Sequence, residues 1–137
     1  MSTLSVKFDQ IEKALGLAYP ARIVTRSFLN PSDRPDSDLR AGVYTVISQG
    51  EGGYNNMPGR EAMYGKNELL IVGQIVVAEG DPASAVEDAE FDMVDEIKGF
   101  VRALPVGIDA MLLKKFRQSG QIDHPYGWVV FQFEMME

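Results

Sequence analysis

The only histidine of this chain, His124, sits in the run Asp123-His-Pro-Tyr-Gly127. An imidazole beside a carboxylate could act as a general base, but it then needs a nucleophile within reach and a group that orients the ring. No Gly-x-Ser-x-Gly elbow presents a serine. With no cysteine and no second histidine, a zinc site lacks its ligands. His124 therefore reads as a turn residue. Six carboxylates crowd one stretch: Glu87, Asp88, Glu90, Asp92, Asp95 and Glu96. Acid–base catalysis would require one of them to be desolvated with a raised pKa. On a helix they fall off the apolar stripe, toward water, so a solvated face or a contact for a basic partner is expected. Asp33, Asp36 and Asp38 lack the strict alternation, turn glycine and distant glutamate of a calcium loop. Gly50-Glu-Gly-Gly53 and Gly65-Lys66 are not followed by the helix that a phosphate cradle needs. Trp128, Phe131 and Phe133 could stack on sugars or bases, yet aromatics on a closing strand are expected to fill a core. The residues thus point away from an enzyme, and no cofactor or metal is expected.

The elements around these residues are mostly plain. Leu4, Phe8, Ile11 and Leu15 form one stripe of a short helix, which Gly16 and Pro20 should end. Arg22 to Phe28 is rich in β-branched residues and reads as a strand. Asn30 to Arg40 has two prolines with several Asp and Ser residues, and reads as a polar, mobile loop. Ala41 to Ser48 and Glu68 to Ala78 read as strands. The second is nearly continuous in apolar residues, as expected of a central strand covered on both faces, and Gly73 suggests a bulge or a close neighbour. Asp81 and Pro82 should open a long helix to Leu104, with Val86, Ala89, Met93, Ile97, Phe100 and Leu104 as its buried stripe. Residues 108 to 118 stay open between strand and helix. Trp128 to Met135 alternates, with Val129, Phe131, Phe133 and Met135 on one face. The expected fold is α+β: a mostly antiparallel sheet of four to five strands, with one long and one short helix on one face.

A chain of 137 residues is expected to form a single domain, residues 1 to 137. No apolar run is long enough to cross a bilayer, and Met1 to Phe8 has no apolar signal core. The absence of cysteine fits a cytoplasmic origin. A net charge of −7 argues against specific nucleic-acid binding, which normally brings a basic patch.

Between the two strands runs Gln49 to Asn67, with no helical or strand period and five glycines. A long loop in a small domain is usually functional or disordered. It holds Tyr54, Asn55, Asn56, Met57, Arg60, Met63, Tyr64 and Lys66, types that suit an interface core or its rim. These, with Arg34 and Arg40 of the polar loop, are the candidate contacts to partners.

The whole chain resembles the tail terminator (minor tail) proteins of long-tailed phages. Ile71-Val-Gly-Gln-Ile-Val-Val-Ala-Glu-Gly-Asp-Pro-Ala-Ser-Ala-Val-Glu-Asp-Ala-Glu carries most of the likeness, a strand running straight into a helix. Tyr126-Gly-Trp-Val-Val-Phe-Gln-Phe-Glu adds to it. The resemblance implies an α+β subunit that builds a six-membered ring. Such a ring caps the growing tail tube, stops its polymerisation and prepares it for head joining. Its partners would be other copies, the tube protein and the head–tail connector proteins. DNA would pass through the lumen without specific recognition. Assembly would take place in the bacterial cytoplasm before the protein enters the virion tail. Tail-completion and head–tail joining proteins share the fold, so these stations are the alternative. A small hydrolase or ligand-binding domain is a remote third reading, which a pocket holding His124 beside a buried carboxylate would favour.

Overall fold

The computed structural model describes residues 2–53 and 65–135. They form an α+β fold with a five-stranded mixed sheet and three α-helices. Helix α1 (Thr3–Ala18) starts where the Ser2 hydroxyl accepts the Ser5 amide at 3.0 Å, the N-terminal cap that an exposed first turn needs. It does not stop at Gly16. It closes at Tyr19, whose amide donates to the Leu15 carbonyl at 3.0 Å, just before Pro20. Strand β1 (Ile23–Thr25) is only three residues long, shorter than the β-branched run suggested.

The expected loop from Asn30 to Arg40 is structured. It holds a 3₁₀ turn (Pro31–Asp33) and helix α2 (Asp36–Ala41). Leu39 accounts for this. It is fully buried, and that anchor outweighs the local preference of prolines and aspartates for open turns. Gly42 ends α2 at φ +87°, with the Arg22 guanidinium and the Met93 methyl directly beside it. A left-handed turn with no room for a side chain requires glycine there.

Strands β2 (Val43–Gly52) and β3 (Lys66–Val76) form an antiparallel pair. Helix α3 (Ala83–Arg102), β4 (Met111–Gln118) and β5 (Tyr126–Met135) follow. The strand order is β1-β2-β3-β5-β4, with β1 parallel to β2 and all other neighbours antiparallel. The central strand is β3, as its apolar run requires. Pro82 itself occupies the N-cap of α3, so Asp81 lies one residue outside the helix and no side chain caps it.

One buried cluster joins Phe8, Ile11 and Leu15 of α1 and the inner stripe of α3 to alternate residues of the sheet, from Tyr44 to Met135. Val129, Phe131, Phe133 and Met135 are all within 1% of complete burial, which the two-residue period of a strand dictates. Gly73 makes no bulge. A Cβ there would meet the Met93 sulfur at 2.6 Å, so its role is to let α3 approach the sheet closely. No helix among the described residues is long and apolar enough to cross a membrane.

Candidate interaction surface

The β2–β3 hairpin reaches further into the glycine-rich segment than the sequence indicated. Past a bulge between Ser48 and Gly50, pairing resumes as Gly50↔Glu68, Glu51↔Asn67 and Gly52↔Lys66. Residues 49–52 and 66–67 are therefore strand, not loop. Gly50 and Gly53 have φ of +98° and +68°, and a side chain on Gly65 would run into the Gly52 carbonyl. Glycine is required at each for a definite reason. Tyr54, Asn55, Asn56, Met57, Arg60, Met63 and Tyr64 lie outside the described residues, on the segment that joins the hairpin's two ends.

Lys66 is the one candidate of the arm that can be placed. Its ammonium lies 3.2 Å from Glu134, which Lys114 also approaches at 3.8 Å. One carboxylate thus laces β3 to β4 across β5. The Lys66 side chain is 63% exposed, so the pair adds little to stability. Beneath it, Asn67 is 2% exposed and its Nδ2 has no acceptor among the described residues. A buried donor left without a partner is rare and costly.

Arg34 is a tether, not a free contact. Its Nε donates to Gln74 Oε1 at 3.0 Å and its Nη2 to the Ser27 carbonyl at 3.1 Å. Gln74 in turn donates to the Leu29 carbonyl at 3.0 Å. These bonds clamp the 3₁₀ turn over β3. Arg40 is exposed and sits at the rim of a cavity with Asp36, Glu79 and Tyr126.

Two glutamates expected to face water point inward instead. Glu90 is 1% exposed and collects the Ser119 hydroxyl in a very short hydrogen bond, the Trp128 amide at 3.0 Å and the Gln118 amide at 3.2 Å. Glu96 takes two bonds from Arg22, at 3.0 and 2.6 Å, and one from the Tyr44 hydroxyl at 3.0 Å. The hydrogen bond that Arg22 donates to Glu96 raises the Arg22 pKa. Burial, reinforced by the Glu96 charge, holds the Tyr44 phenol well above its ordinary value. Both carboxylates tie α3 to the sheet. The signal was in the sequence for Glu90, since position 90 lies on the stripe of Val86, Met93 and Ile97.

His124 lines an open cavity of about 430 Å³ with Asp123, Tyr126, Trp128, Pro31 and Ser32. Its Nε2 lies 2.8 Å from the Asp81 carbonyl. Asp123 is exposed, and the buried Glu90 faces the helix side of the sheet. No nucleophile and base are paired there among the described residues. Trp128 is only half-buried, on the face opposite Phe131. The expectation of a core position holds for Phe131 and Phe133 alone.

What remains is a sheet face. The 3₁₀ turn and α2 cover only its end around Gln74. Farther along, Ile47, Leu70, Val130 and Gln132 are half-buried beside exposed Lys115 and Arg117, and the strip is continuous with the hairpin and with the outer edge of β4. A surface of this kind, part apolar and rimmed by charge, suits contact with another protein. No protein-family model matches the chain, and a search of curated proteins finds no match.

Proposed function

We propose that this protein is a ring-forming tail terminator. Copies assemble, cap a tail tube, stop its growth and present a face for head joining. The observation that carries the reading is the hairpin. Its strands stay paired to Gly52 and Lys66, and a thirteen-residue excursion rich in Gly, Tyr and Met (residues 53–65) begins at that tip. The half-covered sheet face and the open β4 edge supply further surface for head-to-tail contacts. In this reading α1 and α3 form a layer on one face of the sheet, and the other face meets partners. Six copies close the ring, the acidic surplus of −7 discourages sticking to passing DNA, and the protein ends in the virion tail. Tyr54, Met57, Met63 and Tyr64 dock by area, while Asn55, Asn56, Arg60, Lys66 and Arg40 fill the rim.

Replacing residues 53–65 by Asn-Gly, the pair that closes a two-residue hairpin, tests this directly. The variant is expected to fold and to leave tail tubes growing to uncontrolled lengths. Tails of normal length would remove the arm from the mechanism. Tails of normal length that lack heads would assign the protein to the joining step of the same assembly.

A further inference from the structure

Lys115 and Arg117 stand on the sheet face away from Phe131, because they pair across β5 with Gln132 and Val130. Together with Gln49, Leu70, Val130 and Gln132 they line an open trough of about 270 Å³. Both cations are exposed, and neither has an ion pair or ring contact among the described residues. Two unpartnered cations beside an apolar floor, in a chain of net charge −7, call for an acidic partner with an apolar centre.

The chain carries such a surface itself. On the outer side of α3, Asp88, Phe91, Asp92 and Asp95 follow at intervals of three, one and three residues, which puts them on one stripe of a helix. All four are exposed, and Phe91 leaves 44% of its surface to solvent. The stripe and the trough lie on opposite sides of the sheet. One copy can therefore offer its helix while its own trough receives another, the arrangement that closes into rings.

We propose that α3 of one copy seats in the sheet trough of the next. The Phe91 ring lies over Leu70 and Val130, and Asp88, Asp92 and Asp95 face Lys115 and Arg117. The contact has an aromatic anchor inside a charged rim, a common anatomy for interfaces. It specifies the subunit contact of the proposed ring and rests on that reading.

The test is a charge swap. Lys115→Glu with Arg117→Glu is expected to weaken self-association, followed by sedimentation and native mass spectrometry, roughly tenfold or more. Adding Asp88→Lys and Asp92→Lys to the same chain is expected to restore most of it. Circular dichroism checks that each variant folds. Because the chain has no native cysteine, Asp95→Cys and Gln132→Cys in separate copies give a second readout, a crosslink between subunits. Rings that persist unchanged under the reversal, or that give no crosslink, overturn the contact and leave the tail role standing. A crosslink from Gln132→Cys to the tube subunit instead of a second copy does the same. A wild-type chain that neither associates nor caps tubes overturns the proposed function, and this contact with it.

Discussion

Glu90→Ala removes the acceptor on which three donors from two separate segments converge. The Trp128 amide, at 3.0 Å, belongs to β5. The Ser119 hydroxyl and the Gln118 amide, at 3.2 Å, lie at the end of β4. Each buried donor left stranded costs about 1–3 kcal/mol. The Ser119 hydroxyl can rotate to a new acceptor and the half-buried Gln118 can reach water, so the Trp128 amide dominates. Truncation also opens a void beneath Gly127, whose Cα side the Glu90 carboxylate closely approaches. Together these give a loss of about 3 kcal/mol, a large share of the roughly 5–15 kcal/mol that holds a domain together. Glu90→Gln keeps the size and one acceptor oxygen, and its amide can donate to Ser119. It is expected to cost about 1 kcal/mol or less. The assay is urea unfolding followed by fluorescence. Trp128 is the sole tryptophan, so the probe sits on the bond under test. An alanine variant that loses under about 1 kcal/mol, or a glutamine variant as damaged as the alanine one, would refute the reasoning.

Tyr44 is fully buried and its pKa is raised by that burial and by Glu96. The folded state keeps the phenolic proton where the unfolded chain, with a pKa near 10, releases it. Its contribution is complete below about pH 10 and falls away as pH rises above that. Urea midpoints taken across the alkaline range should decline less steeply in Tyr44→Phe than in wild type, and parallel curves would contradict this. Asn67→Leu removes the Nδ2 that lacks an acceptor among the described residues, and is expected to stabilise the isolated subunit by about 1–2 kcal/mol. A shift of similar size in the opposite direction would mean that the amide has a partner.

The element order was readable wherever one face alone decides the pattern. The closing strand and the apolar stripe of α3 are of that kind, since simple periods of two and 3.6 separate inside from outside. Elsewhere a tertiary contact overruled the local pattern. The polar run from Asn30 to Arg40 became a 3₁₀ turn and a helix because Leu39 is buried and Arg34 bonds to Gln74. Glu90 and Glu96 were assigned to water by their chemical type, although each is inward by position. Their donors come from segments 28 to 74 residues away in the chain, which no local window contains. Of the candidate contact residues, Lys66 and Arg40 are at the surface, whereas Arg34 works inside its own subunit. The trough of Lys115 and Arg117 was not anticipated, because the strand carrying it was itself undecided.

That indecision has a physical origin in β4. Leu113 and Phe116 both face Phe131 and Phe133, although they lie an odd number of positions apart. Three-residue spacing is what a helix would show. The register shift between Leu113 and Lys115 makes it compatible with a strand, by accommodating Lys114 as a supernumerary residue. Shortening a strand by one position ordinarily turns every later side chain inside out. Excising Lys114 would instead leave Leu113, Lys115, Phe116 and Arg117 in perfect alternation, each still on its present side.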